Sequence, residues 1–369
     1  MKKKEIDDVL NEACTVTSDG SMSEFLSLTP ADENECISTG IDLLNLNLSS
    51  NINGGFKLGS VVQLCAEPNG GKSYFCYNLM RTALKNPRFN EYKFRYIDKE
   101  GGCRFDGGEG SERIEIYDAT NSNIATIERA YSLIKSWLDT GEKQVIVLDS
   151  TNAFVTENAL DNVESNQKAI LKEMEGGKSS DLKEDVLGQF AKASSKYLPI
   201  IKEQVEKTGS LLLLCSQYRD KIGATMYESK VQTSGGRALL HTCDYKLSFS
   251  KSGAIEGKAP SGNTYITGYN IKITVNKTRG NGLHLSCTIP FKEGGGVSQI
   301  NALFEYLETM KAITSHGAYK QADWMYGDKN VRAIDIKREW KNNPEAYEIA
   351  RKKAQELWLA DQQFLMDNF

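Results

Sequence analysis

An α/β fold built on a doubly wound, mostly parallel sheet is what this 369-residue sequence predicts, and three observations carry it. Short apolar runs recur along the chain as SVVQLC, YKFRYID, QVIVLDS and GSLLLLCSQ, each continuous enough to be a strand buried on both faces. Helix-like segments separate them, among them Tyr74 to Lys85 and IATIERAYSLIKSWL, and this βαβα order is that of parallel strands joined by helical crossovers. The first run passes into its helix through PNGGKS, a glycine-rich turn.

Residues 2 to 14 place Ile6, Val9, Leu10 and Ala13 on one side of a short helix, and the polar stretch CTVTSDGSMS follows as a linker. Residues 1–34 are therefore an N-terminal helix and linker expected to dock outside their own core. The core spans 35–298. Its later stretches, YKLSFS, TGYNIKITVNKT and GLHLSCTIPF, alternate apolar and polar residues and read as antiparallel strands finishing the sheet. Residues 156–187 interrupt the pattern, being polar, charged and marked by GGKSSD; they are expected to be a structureless insertion, functional or disordered. Residues 299–369 read as a small C-terminal helical lobe. There Asn343 suits a cap, Pro344 the first helical position, and Tyr347, Ala350, Ala354, Leu357 and Trp358 an apolar face. The tail LADQQFLMDNF, with Phe364, Leu365, Met366 and Phe369, is expected to pack back on that lobe.

Composition narrows the function classes. An apolar fraction of 40% supports a substantial core, and 45 basic against 49 acidic residues give a net charge of −4. Contact with nucleic acid would then need a local basic surface, not an overall field. Eight cysteines without a CxxC pair indicate reduced thiols and a cytoplasmic protein. MKKKEIDDVLNEA is charged where a signal peptide needs an apolar stretch, and no window reaches membrane-span length. The histidines at 241, 284 and 316 have no metal-ligand spacing.

AEPNGGKS matches the phosphate loop GxxxxGK[ST], except that Ala66 stands where the first glycine usually lies. Backbone N–H groups of Glu67, Pro68, Asn69, Gly70 and Gly71 are the candidate cradle, proline contributing position and no donor. Lys72 is placed to reach the β- and γ-oxygens, Ser73 to offer a hydroxyl to Mg²⁺, and Tyr74 to lie in the helix turn whose positive end faces the anion. An acidic residue at the end of a neighbouring strand should complete the Mg²⁺ site, and QVIVLDS supplies Asp149. ATP or GTP with magnesium is the implied ligand. A small-molecule kinase with a phosphate loop is one enzyme class compatible with these pieces.

YIDKEGG sets Glu100 after a strand, and GSLLLLCSQYRDKIG sets Gln217 at the end of another. The order phosphate loop, IDxE, VIVxDS, SQxRxKIG, TSGGRAL resembles the RecA-type recombinases, including the phage UvsX branch, from about Glu35 to Arg279 with a weaker echo in NPEAYEIARKKAQEL. The resemblance implies a RecA-like P-loop NTPase core that hydrolyses ATP with Mg²⁺, polymerises on single-stranded DNA and exchanges strands. Glu100 would be the general base orienting the attacking water, and Gln217 the sensor of the γ-phosphate. Implied partners are single- and double-stranded DNA, further copies of the chain in a head-to-tail helical filament, a single-strand-binding protein and a loader. A ring helicase with the same core is the alternative, disfavoured by TSGGRAL and by the short N-terminal segment.

In the resembling family the stretch after Gln217 is the second DNA-binding loop, and 156–187 takes the place of the first. Arg219, Lys221, Lys230 and Arg237 would meet phosphates, Met226 or Tyr227 would wedge between bases or stack on them, and Gly235 and Gly236 would form a hinge. The family also carries two lysines in a later strand that reach the neighbouring protomer's nucleotide. The matching positions here are Val275 and Lys277, and Arg279, expected on the same strand face as Lys277, stands in for the missing cation. For the adenine pocket Asp106 is the candidate.

Overall fold

The computed structural model describes residues 29–101, 110–120, 124–175, 188–220, 231–233, 236–281, 283–292 and 296–368. The expected helix at 2–14 therefore lies outside the described residues, as do Cys14 and Cys103.

A small antiparallel pair, β1 (Cys36–Ile37) and β2 (Phe56–Lys57), brackets helix α1 (Asp42–Ser49) and leads into β3 (Ser60–Ala66). Helix α2 (Lys72–Leu84), β4 (Lys93–Asp98), β5 (Ile114–Asp118), α3 (Ile127–Leu138) and β6 (Gln144–Asp149) follow, then α4 (Glu157–Met174), α5 (Gln189–Thr208) and β7 (Leu211–Asp220). The short β8 (Val231–Thr233) and α6 (Gly236–Thr242) precede the long hairpin β9 (Tyr245–Lys258) and β10 (Thr264–Lys277), then β11 (Ser286–Lys292) and β12 (Gly296–Val297).

The main sheet runs β12-β11-β10-β9-β3-β7-β6-β4-β5, with β8 on β7. Strands β5, β4, β6, β7, β3 and β9 are mutually parallel, and β10, β11 and β12 complete the sheet antiparallel, as expected for TGYNIKITVNKT and GLHLSCTIPF; YKLSFS, expected antiparallel, opens β9 and pairs parallel with β3. The central strands are buried over their whole length because each face has its own core. Val62, Leu64, Val145, Val147, Leu211 and Leu213 pack with Phe75 and Leu79 of α2, and Val61, Ile146, Leu148, Leu212 and Leu214 pack with α3 and α5. The side chains alternate between faces, so one uninterrupted apolar run serves two cores at once. Chain reversal from α5 to β7 is made at Gly209, whose φ of 65° closes the helix with Ser210 N donating to Val205 O.

Two further expectations are corrected. Residues 157–174 are an α-helix, not a structureless insertion: the Thr156 hydroxyl accepts from Ala159 N at the start, and the segment is rich in the helix formers Glu, Ala, Leu, Gln and Lys. None of its residues is buried, which is why it carries no strong core signature. The tail also does not fold back, because α10, the last helix (Pro344–Asn368), runs straight on and leaves Phe364 and Leu365 exposed.

The C-terminal residues add α7 (Gln299–Thr309), a small sheet of β13 (Thr314–His316), β14 (Tyr319–Gln321) and β15 (Asn330–Val331), α8 (Asp323–Tyr326) and α9 (Ala333–Asn342) before α10. Asn343 Oδ1 accepts from the backbone of Glu345 and Ala346 and caps α10, with Pro344 in its first turn. Ala346, Ala350, Ala354 and Trp358 are buried, and the Trp358 indole donates to Asn47 on α1 at 3.1 Å. Among the described residues no helix is long and apolar enough to cross a membrane.

Candidate functional site

The phosphate-loop sequence lies between β3 and α2. Gly70 N donates to Glu67 O at 3.1 Å, Asn69 sits at φ 58°, and Gly71, at φ 92°, caps the helix. The two glycines are needed for different reasons. A Cβ on Gly70 would meet the Ala66 Cβ at 2.6 Å, whereas Gly71 has open space around it and is required by its left-handed backbone. Ala66 is buried as the last residue of β3, so the methyl that replaces the usual first glycine packs under the loop and not into its mouth. Glu67, Pro68, Asn69 and Ser73 are exposed and Lys72 is buried. The first N–H groups of α2 have no intrahelical partner and form an anion-binding end. Tyr74 is half-buried, edge-on to Phe291 at 5.1 Å with its hydroxyl against Gly296, so it leans toward β11 and β12.

Asp149 ends β6 at 3% exposure. Tyr96 O–H donates to its Oδ2, and Oδ1 is buried with no hydrogen-bond partner among the described residues. Burial pushes the carboxyl's pKa up, and the neighbouring Ser73 and Tyr96 hydroxyls oppose that rise. An orphaned carboxylate oxygen beside a serine hydroxyl at the phosphate loop is a hard-oxygen donor set, which fits Mg²⁺. The residues present therefore suit the metal that the motif implies.

Asp98 ends β4 beside Asp149, and its Oδ1 accepts from Glu100 N at 3.1 Å and Gly101 N at 2.8 Å. This turn aims Glu100 along the strand ends. Its Oε1 accepts from Ser150 Oγ and, at 2.6 Å, from Gln217 Nε2. Gln217 lies opposite Ala66 in the β3–β7 register, one strand from the phosphate loop. The β6–β7 ladder stops at Leu148 and Leu214, and side chains take over from there. Asn152 Oδ1 accepts from Gln217 N and Asn152 Nδ2 donates to Gln217 O, both at 3.1 Å, while Thr151 Oγ1 donates to Cys215 O. Lys72, Ser73, Asp149, Glu100 and Gln217 are thus gathered at the C-terminal edge of the parallel strands, where ligands of open α/β sheets bind. Tyr96, Asp98, Ser150 and Asn152 complete this edge and were not singled out by motif; the only signal for them is their position within YIDKE and LDSTN.

Beyond Gln217, β7 continues to Asp220 and pairs antiparallel with β8, Tyr218 opposite Thr233. Arg219 lies on β7, and Gly236 and Arg237 open α6. Lys221, Met226, Tyr227, Lys230 and Gly235 lie outside the described residues, as does Asp106.

Lys277 and Arg279 stand at the other end of the sheet. Lys277 is opposite Lys246, itself level with Gln63 of β3, and its Nζ donates to Leu240 O at 2.7 Å and His241 O at 3.3 Å at the end of α6. Burial, and then the nearby Arg279, lower the Lys277 pKa. The expectation that Lys277 and Arg279 share a strand face is corrected. β10 ends at Lys277 after a register shift past Val275, so the alternation of faces does not extend to Arg279. Arg279 instead lies in the following turn and pairs with Asp244 at 2.9 Å. Asp244 is next to Val61, from which the phosphate loop is about six residues, or roughly 20 Å, along β3.

The RecA N-terminal domain family matches residues 4–294. Similar proteins include Protein RecA of Mycoplasma mobile, 27% identical over 340 residues that cover 89% of this chain and 88% of that one. Protein RecA of Laribacter hongkongensis is 26% identical over 362 residues, covering 95% and 90%, and that of Malacoplasma penetrans is 24% identical over 335 residues, covering 89% and 90%.

Proposed function

The chain belongs to the RecA family, and from that membership and the geometry of its sheet edges we propose an ATP-driven recombinase that assembles head to tail on single-stranded DNA and carries out homologous pairing and strand exchange. The observation that carries this reading is the Gln217–Glu100 contact, 2.6 Å across the mouth of the phosphate loop. It joins the residue best placed to act on water to the residue at the root of the DNA-binding segment.

The phosphate-loop N–H groups and Lys72 hold the β- and γ-phosphates of ATP. Ser73 and Asp149 would hold Mg²⁺, which would supply charge neutralisation on the phosphate oxygens. Glu100 orients a water in line with the γ-phosphorus and takes its proton as ADP leaves. The Gln217 amide, released from Glu100, donates to a γ-phosphate oxygen. Because Asn152 clamps the Gln217 backbone on both sides, the amide changes partner by side-chain rotation while the strand end stays in place, next to the segment that follows β7.

Arg279, paired with Asp244 near the start of β3, is too far from its own phosphate loop to act on it, and Lys277 is tied to the end of α6 beside it. In a head-to-tail stack the N-terminal sheet edge of one copy meets the C-terminal edge of the next, and there these cations balance the charge of the transferring phosphoryl group. Residues 156–187 and 218–237 are the DNA-gripping segments, with Arg219, Lys221, Lys230 and Arg237 on phosphates and Met226 or Tyr227 on bases. Residues 1–34 dock on the neighbouring copy, 299–369 form the C-terminal lobe, and the protein works in the cytoplasm with a single-strand-binding protein and a loader. Electron microscopy with ATP, Mg²⁺ and single-stranded DNA tests the reading. Open helical filaments are expected, whereas closed rings without filaments would move the chain to the ring ATPases.

A further inference from the structure

Asp244 lies between α6 and β9 and is not part of any phosphate-binding motif. Its carboxylate is buried and takes four contacts from three donors: Val61 N at 2.9 Å, Lys202 Nζ at 2.7 Å on one oxygen and 2.5 Å on the other, and Arg279 at 2.9 Å. The donors are not equivalent. Lys202 is 13% exposed and fixed on α5, and Val61 belongs to the central strand, whereas the Arg279 side chain is 55% exposed and comes from a turn. Removing Arg279 leaves Asp244 with an N–H and the Lys202 ammonium, which Glu206 shares at 2.9 Å, so the buried charge stays partly compensated. Arg279 is the donor that can leave most easily. Lys277 rests on the neighbouring residues, held by the neutral carbonyls of Leu240 and His241. One short segment, 240–244, therefore holds both cations.

We propose that Asp244 is a resident counter-ion: it holds Arg279 at the N-terminal edge of the sheet until the nucleotide of a neighbouring copy takes the guanidinium over. This rests on the reading that Lys277 and Arg279 act across the seam between copies. A phosphate chain bearing several negative charges competes for the guanidinium against one carboxylate that already has Lys202, so the exchange runs toward the nucleotide only when a loaded neighbour is docked. Asp244 is thus a positioning residue, and it makes hydrolysis wait for assembly.

The sign of its effect separates this role from simple support of the fold. ATP turnover with oligo(dT) is followed over a protein concentration series for the wild-type chain, Asp244→Asn and Lys202→Gln. Asp244→Asn keeps an acceptor for Val61 N and Lys202 but turns a neutral amide toward Arg279. The half-maximal protein concentration should fall roughly two- to fivefold, the scale of an ion pair whose guanidinium stays in contact with solvent. Lys202→Gln leaves Asp244 more dependent on Arg279, and the half-maximal concentration should rise. A structural role predicts a rise, or no change, in both. An unchanged or raised value in Asp244→Asn overturns the proposal; if that variant does not fold, an unchanged or lowered value in Lys202→Gln does so. A wild-type chain with no DNA-stimulated, concentration-dependent turnover refutes instead the recombinase reading itself.

Discussion

The two edges of the central sheet carry charge in opposite ways. At the C-terminal edge anions are under-compensated among the described residues: Asp149 is buried with one oxygen unpartnered, and Glu100 accepts from a hydroxyl and an amide. At the N-terminal edge the cations are paired, Arg279 on Asp244, Lys202 on Asp244 and Glu206, and Lys277 on two carbonyls. The first edge is open to a metal and a phosphate chain, and the second stores the groups that would act on the next copy's phosphate. Under the proposed function, one copy would hold half of the charge balance that the reaction needs at each end.

Substitutions at the first edge should have the largest effect. Glu100→Gln keeps the acceptor for Ser150 but not the base, so steady-state ATP hydrolysis should fall about 10²- to 10⁴-fold while ATP-dependent DNA binding by fluorescence anisotropy persists. Full turnover would remove Glu100 from the chemistry. At the second edge Lys277→Ala should lower DNA-stimulated turnover about 10²- to 10³-fold and leave nucleotide binding by the isolated chain unchanged. Should nucleotide affinity drop instead, Lys277 acts in its own copy and the contrast between edges disappears.

Asn152→Ala deprives the Gln217 backbone of both partners and should destabilise the chain by about 1–3 kcal/mol, read as a fall in melting temperature of a few degrees. An unchanged melting temperature would mean that the strand end does not need the clamp. The smallest effect is one of sign. Burial raises the Asp149 pKa in the folded chain above its unfolded value, so this group penalises folding once pH climbs from the ordinary carboxylate range through the raised folded value. In the absence of nucleotide and metal, Asp149→Asn should melt higher than wild type near neutral pH, with the gap closing as pH falls below the ordinary range. A lower melting temperature at neutral pH would mean that the carboxylate is already compensated.

The first edge was legible in the sequence because its residues are tied to strand ends and to a loop whose backbone requires glycine. The apolar runs locate the strands, and Lys72, Ser73, Glu100, Asp149 and Gln217 follow at fixed offsets from them. Asn152 and Tyr96 were not legible, since they act by filling a gap in a ladder and by reaching across a strand, which depend on register. The second edge was only half legible. Lys277 and Arg279 stand out as cations, but Asp244 is one acidic residue among 49 acids until the fold brings Val61, Lys202 and Arg279 to it. Alternation of faces also failed where a bulge and a strand end intervene. Helix α4 escaped notice because it buries none of its residues, and burial is what makes a helical pattern readable.

The central claim is that hydrolysis belongs to the seam between copies, and ATP turnover with and without single-stranded DNA over a protein concentration series tests it most directly. Turnover should be low for the dilute chain, rise more steeply than linearly with concentration, and be stimulated by DNA. A dilute, unassembled chain that hydrolyses ATP at its full rate and ignores added oligonucleotide would contradict it.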